Sequence, residues 1–421
     1  MSPFRAALIV PDYSHSWNDD GQFHLSELTQ LCHGGQVDLA IFPEAYEKVD
    51  GGVEEIVADW AATLRIPVLM GIEYQGFQLA VYRNPAPRRG ETKSHLYVKH
   101  STSQRLAYEW PGYRGIDDPM FQPINIRGKK LGVELCHDMY YGLVAHRLKA
   151  NGTEVFVDLT GGNVNMPKWK NIVRARSLER GGSFLCTMGW SSGSNGSAAA
   201  LAYRAGQSLG ATADTTNAEG FGGFAVFDLD GPIKSEFLGE GQAYTDKKYK
   251  DITISLGRDR PADIVARLSD SSVVITGPGL VTPQGHWRGF KTKAGAVGLL
   301  PLPLSSLSDA VVIHRRDAPR GEFDHLFVLY YADSAPASLA DTLTLMKLRA
   351  IEHRMGVALL AGTCREVLKT NRYKNIQRFV EQEGVFGVNT EFLGGTWSTA
   401  GVSSGLGIPF EYFDAYRSLL Q

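Results

Sequence analysis

Cysteine is scarce in this 421-residue chain, with four in all, Cys32, Cys136, Cys186 and Cys364. They are too few and too scattered for a disulfide framework, and no CxxC pair suggests a zinc site, so a reducing cytoplasm is the expected location and no metal is expected. An excess of either charge is also missing: 43 Lys+Arg stand against 45 Asp+Glu, a net charge of −2. That balance weighs against a nucleic-acid partner, which normally meets a basic face. Long hydrophobic runs are absent as well. The apolar stretch Ala6–Val10 near the start is too short for a signal peptide's core or for crossing a membrane, which takes about 20 residues, and it reads as a first strand. No low-complexity tract and no self-similarity at a period of about 20 to 50 residues is visible, which argues against a solenoid or a propeller.

What the chain does have is the composition of an ordinary globular protein, 43% hydrophobic and 21% charged, at a length beyond one usual core. Through the first 250 or so residues, short apolar runs alternate with amphipathic stretches. Strands are expected at Ala6–Val10, Val37–Phe42, Val68–Ile72, Gln78–Tyr82, Leu131–Leu135, Glu154–Leu159, Ser183–Met188 and Gly223–Asp228. Helices are expected at Leu25–His33, Val53–Leu64, Leu143–Ala150 and Lys168–Arg180. The alternation is that of an α/β fold. The polar stretch Gly257-Arg258-Asp259-Arg260-Pro261 marks the expected boundary between a domain over 1–256 and a C-terminal α/β extension over 257–421. Beyond it lie strand-like runs at Ser272–Thr276, Ala310–His314 and Leu326–Tyr331, a helix candidate at Leu339–Met355, and a Gly/Ser/Thr-rich loop over Gly384–Leu406.

Two strand ends carry reactive groups. Asp38-Leu39-Ala40-Ile41-Phe42-Pro43-Glu44 delivers a carboxylate where an apolar strand stops at proline. Lys130-Leu131-Gly132-Val133-Glu134-Leu135-Cys136 delivers a thiol at a turn, where the first amides of a following helix are expected to lower its pKa and hold an oxyanion. Between them, Tyr97-Val98-Lys99-His100 offers a cation and Tyr108-Glu109-Trp110-Pro111-Gly112 a second carboxylate. The neighbouring Lys93-Ser94-His95-Leu96 offers another lysine, but Lys99 ends a strand-like run and is preferred.

This order of residues, Glu44 after a Phe-Pro-Glu strand end, Lys99 at 55 residues beyond it and Cys136 at 37 beyond that, resembles the carbon-nitrogen hydrolase (nitrilase/amidase) superfamily. Trp169 followed by Arg174-Ala175-Arg176-Ser177-Leu178-Glu179, and the late Asp228-Leu229-Asp230-Gly231 turn, agree with it, so the resemblance covers about residues 4 to 256. Tyr140-Tyr141-Gly142-Leu143 stands where the family usually has Pro-Glu, and His137 follows the cysteine where the family usually has tyrosine. The resemblance implies a four-layer α-β-β-α sandwich and hydrolysis of a small amide or nitrile through a Cys136 thioester, without a cofactor. It implies Glu44 as general base, Lys99 and the His137 amide as oxyanion donors, and Glu109 as the group that orients Lys99 and substrate or water. Trp110, Tyr113, Tyr140, Trp169 and Trp190 are candidate pocket walls beside His137. A homo-oligomer is implied too, with neither nucleic acid nor membrane as partner. Two other readings stay open. Gly189-Trp190-Ser191-Ser192-Gly193 fits a serine-hydrolase elbow at Ser191, and the fold could be a silent binding module acting through its C-terminal part.

Overall fold

The computed structural model describes residues 3–11, 21–75, 77–99, 119–140, 142–161, 166–189, 199–214 and 223–233. Farther on it describes 252–256, 264–268, 271–275, 288–292, 295–308, 325–331, 341, 344–346, 348–349, 356–361, 364–371, 375–380 and 385–387. Two compact units result, one within Met1–Phe237 and one within Leu238–Thr399.

The first unit holds two sheets. Sheet 1 contains β1 (Arg5–Val10), β2 (Leu39–Ile41), β3 (Glu47–Val49), β4 (Val68–Tyr74), β5 (Phe77–Arg83), β6 (Ser94–Val98), β13 (Ala213–Asp214) and β14 (Gly223–Asp228). Its order is β13-β14-β1-β2-β4-β5-β6, with β3 beside β4. Sheet 2 contains β7 (Ile124–Ile126), β8 (Lys129–Leu135), β9 (Val155–Thr160), β10 (Ser183–Met188), β11 (Ala199–Arg204) and β12 (Gln207–Ser208), in the order β12-β11-β10-β9-β8-β7. Parallel pairs in the middle of each sheet, β1–β2–β4 and β8–β9–β10, are flanked by antiparallel neighbours. The central strands β9 and β10 are buried at every residue, as runs such as Val-Phe-Val-Asp-Leu-Thr and Ser-Phe-Leu-Cys-Thr-Met require when both faces are covered.

Four helices cover the outer faces. α1 (Gly21–His33) packs on α2 (Val53–Leu64) and on β14, and α2 lies over β4 and β5. On the other side, α3 (Gly142–Ala150) lies on β8 and α4 (Met166–Arg180) on β10 and β11. The inner faces meet through β1 with β10 and β5 with β8, which completes the α-β-β-α sandwich. α2 shows why such segments are helical: Val57, Ala61 and Leu64 fall on one face and are buried, while Glu54 and Glu55 in the first turn oppose the helix dipole.

Strand β15 (Ile252–Leu256), expected to close the first domain, pairs instead with β16 (Ile264–Leu268) and β24 (Val385–Gly387), and β17 (Ser271–Ile275) completes this small sheet. β15 thus belongs to the second compact unit, and residues 385–387 are strand where a loop is expected. A second sheet follows the order β18 (Arg288–Thr292), β19 (Gly295–Pro303), β20 (His325–Tyr331), β21 (Gly356–Ala361), β22 (Cys364–Asn371) and β23 (Asn375–Val380). Its β18–β19 pair is antiparallel, β19–β20 and β20–β21 are parallel, and the last two pairs are antiparallel. Sheet 1 has the same sequence of directions along β14-β1-β2-β4-β5-β6. Helical residues 341, 344–346 and 348–349 lie between β20 and β21, as α2 lies between β2 and β4. The second unit thus repeats the wiring of half a sandwich. The run at Ala310–His314 lies outside the described residues.

Candidate active site

Lys99 and Cys136 follow β6 and β8 directly, Glu44 lies three residues past β2, and the fold brings their side chains together. Glu44 is held at its turn by main-chain bonds on both sides: Phe42 N donates to Leu69 O at 2.8 Å, and Tyr46 N to Gly71 O at 2.9 Å. Below the turn, Trp60 of α2 packs with Phe42 and Tyr46 at ring-centroid distances of 5.1 and 5.8 Å. Gly71 is required there, because a Cβ would lie 2.2 Å from Pro43 O and 2.5 Å from the Glu44 Cα. Ala45, after Glu44, and Cys136 itself both have positive φ, 51° and 48°. Left-handed backbone is uncommon at non-glycine residues and costs free energy, so it persists where the surroundings impose it.

Lys99 Nζ donates to Glu44 Oε1 at 2.5 Å. The backbone N–H of Gly161, just past β9, donates to Glu44 Oε2 at 3.0 Å. Both carboxylate oxygens are thereby oriented, and Glu44 is 8% exposed. The Cys136 thiol lies within reach of the charges of both Glu44 and Lys99. Burial of its sulfur and the negative charge of Glu44 push the Cys136 pKa well above the ordinary thiol value, while Lys99 pulls it down. This departs from the expectation of a thiol activated by helix amides: the turn after Cys136 is a short 3-10 segment, Cys136–Tyr140, and the carboxylate outweighs it. Lys99 shifts the other way. Burial opposes its ammonium, but the charge of Glu44 and the hydrogen bond to it more than offset this and raise its pKa. The resting site therefore pairs a neutral thiol with a carboxylate–ammonium couple.

Around the triad stands a ring of buried polar groups. Tyr97, two residues before Lys99, donates its hydroxyl to Asp138, two residues after Cys136, at 2.8 Å. Arg176 of α4 grips the turn after Cys136, with Nε 3.0 Å and Nη2 2.5 Å from Met139 O, and pairs with Glu179 at 2.7 Å. That is the structural use of the Arg-Ala-Arg-x-x-Glu stretch. On the helix side of sheet 2, Glu134, Asp158 and Cys186 stand in register across β8, β9 and β10. Sequence reasoning missed Asp158, although a carboxylate alone inside the apolar strand Val-Phe-Val-Asp-Leu-Thr was a visible signal.

Among the expected pocket residues, His137 is half-buried and borders the site. Trp169 is 1% exposed and sits under sheet 2 beside Cys186 rather than lining an open wall. Glu109, Trp110, Tyr113, Trp190 and Ser191, and the Tyr140 side chain, lie outside the described residues. Among the described residues, no group of three or more His, Cys, Asp and Glu could hold a metal, and no helix is long and apolar enough to cross a membrane.

The family model described as carbon-nitrogen hydrolase matches residues 24–187, the stretch that contains Glu44, Lys99 and Cys136. No curated protein matches. Among solved structures, a carbon-nitrogen hydrolase from Helicobacter pylori G27 is similar at 17% identity and TM-score 0.40, over 54% of this chain and 89% of that one. A CN-hydrolase superfamily protein from Xanthomonas campestris, with an arsenic adduct in its active site, is similar at 14% identity and TM-score 0.40, over 54% and 91%. An amidase from Nesterenkonia sp. is similar at 16% identity and TM-score 0.36, over 54% and 90%.

Proposed function

We propose that this protein hydrolyses a non-peptide carbon-nitrogen bond of a small amide through a thioester on Cys136. The observation that carries the proposal is the meeting of thiol, carboxylate and ammonium from three strand ends, with Lys99 at 2.5 Å from Glu44 and both charges acting on the Cys136 thiol. Because the resting thiol is neutral, the nucleophile is made during the reaction. Glu44 takes the Sγ proton as sulfur attacks the carbonyl carbon. The oxyanion that forms is stabilised by Lys99 and the His137 amide. As the C–N bond breaks, the Glu44 carboxyl returns its proton to the leaving amine, which departs as ammonia or an amine. Glu44 then deprotonates water for attack on the thioester, the C–S bond breaks, and the proton goes back to the sulfur. Glu109 is assigned to orient Lys99 and this water.

A nitrile would add to the same thiol, with the Sγ proton passing through Glu44 to its nitrogen to give a thioimidate; the amide is preferred as the more common outcome of the family resemblance. Ammonia release from a panel of amides and nitriles, with Cys136→Ala and Ser191→Ala as controls, tests the proposal. A covalent adduct on Cys136, seen by intact mass during turnover, supports it. Activity that survives Cys136→Ala but is lost in Ser191→Ala overturns it.

A further inference from the structure

Asp158 takes no part in the reaction as written, yet it is wholly buried and sits behind the triad. Its Oδ2 accepts hydrogen bonds from the Thr160 hydroxyl and from the Cys186 thiol, the latter at 3.3 Å. Thr160 is the last residue of β9, and its carbonyl accepts the Gly189 N–H at 3.2 Å from the end of β10. The next residue, Gly161, donates to Glu44 Oε2. Gly161 has little room, since a Cβ there would lie 3.0 Å from that oxygen. A continuous line of contacts thus runs from Asp158 through Thr160 and Gly161 to the carboxylate proposed as the base.

We propose that Asp158 is a positioning residue that, as a neutral carboxyl accepting from Thr160 and Cys186, locks the end of β9 so that the Gly161 N–H holds Glu44 against Cys136. This inference rests on Glu44 acting as the base of the proposed reaction.

Three observations support the neutral form. Asp158 Oδ1 has no hydrogen-bond partner among the described residues, which suits the oxygen that carries a proton better than half of a buried carboxylate. Among the described residues, no ion pair reaches it. The ionisable groups that face it are Glu134 from β8, Cys186 from β10, Glu44 and Cys136 from the site, and Tyr97 from β6, while Arg180 is engaged with Glu134. Burial, added to by the charges of Glu134 and Glu44, raises the Asp158 pKa well above the carboxylate range against the pull of the Thr160 and Cys186 bonds.

The geometry separates positioning from charge. Thr160→Val removes one donor into Asp158 and changes no charge, Asp158→Leu removes the acceptor, and Asp158→Asn keeps a neutral carbonyl acceptor of the same shape. The readout is the pH midpoint of Cys136 alkylation by iodoacetamide, followed by peptide mass on the full chain, with no substrate present. Thr160→Val and Asp158→Leu release Glu44 from the thiol, so the midpoint moves down and the turnover number falls about tenfold at unchanged KM. Asp158→Asn stays within about twofold of wild type in turnover, with an unmoved midpoint. A Thr160→Val protein, folded by circular dichroism, with the wild-type midpoint overturns the proposal. A shift in Asp158→Asn as large as in Asp158→Leu overturns it too, because Asp158 then acts through its charge. Should the wild-type protein hydrolyse no amide or nitrile, the proposed reaction falls, whereas the alkylation series still decides whether Asp158 positions Glu44.

Discussion

Lys99 Nζ and Glu44 Oε1 lie 2.5 Å apart, joining the end of the edge strand β6 to the end of the central strand β2. The contact sets the charge state of the whole site. The Glu44 carboxylate held against this ammonium raises the pKa of the neighbouring thiol and so keeps it protonated. The thiol and its base are therefore coupled, and each predicted effect below depends on which member is changed.

Glu44→Gln separates activation of the thiol from proton transfer. The Glu44 charge raises the Cys136 pKa and the Lys99 charge lowers it. Removing only the negative charge therefore moves the alkylation midpoint of Cys136 down from its wild-type position above the ordinary 9.0. Turnover falls by about 10²-fold to 10⁴-fold, because no group remains to carry the proton to the leaving amine. Alkylation against pH and ammonia release on the same preparation check the pair of outcomes. An unmoved midpoint contradicts the coupling.

Lys99→Met has the opposite sign at the sulfur. Without the ammonium, burial and Glu44 are no longer opposed, so the Cys136 midpoint rises and alkylation at pH 7 slows. Turnover falls by about 10²-fold to 10³-fold through loss of an oxyanion donor. Iodoacetamide kinetics on the two variants, run side by side, read the two directions directly.

Gly71→Ala tests the packing beneath the base. The added Cβ would meet Pro43 O at 2.2 Å and Glu44 Cα at 2.5 Å, both backbone atoms that cannot swing aside. The expected outcome is destabilisation by about 1–3 kcal/mol, measured in urea, together with lost activity as the Glu44 turn is displaced. Full activity and stability in this variant would show that β4 and the Glu44 turn have slack that the geometry denies.

Arg180 and Glu134 form an ion pair at 2.5 Å, with side chains 1% and 0% exposed. The Arg180 guanidinium also lies over the rings of Phe156 and Phe184, 4.1 and 5.2 Å from their centroids. Arg180→Met alone strands the Glu134 carboxylate and costs about 3–5 kcal/mol. The double variant Arg180→Met, Glu134→Leu recovers much of that loss. Urea unfolding of the two variants and wild type measures the difference, and a double variant no better than the single one removes the pair's charge as the cause.

Much of the first unit is legible in the chain because its strands are short apolar runs closed by Gly, Pro or Asp, and its helices carry a 3.6-residue pattern. Ser183–Met188, Gly223–Asp228 and Val53–Leu64 coincide with β10, β14 and α2. Glu44, Lys99 and Cys136 could be picked out together because each lies within three residues of a strand end, a local property of the sequence. Strand β11, Ala199–Arg204, escaped notice, since Ala-Ala-Leu-Ala-Tyr-Arg has neither the β-branched residues nor the alternation that signals a strand, and only pairing with β10 makes it one. The second unit was harder still. Its likeness to sheet 1 lies in strand direction, and direction leaves no mark on side-chain type.

By itself, then, the sequence determined the α/β alternation, the helices and strands of the first unit, and which residues are chemically able to form the site. The tertiary structure decided what those residues do to one another. The Cys136 pKa is raised rather than lowered because a carboxylate 92 positions earlier in the chain is folded against it in a buried place, where charges act strongly. Asp158 likewise becomes part of the site only when the end of β9 is laid beside Glu44. Electrostatic and hydrogen-bond energies depend on distance and burial, and both are properties of the packed sheets that no local stretch of sequence contains.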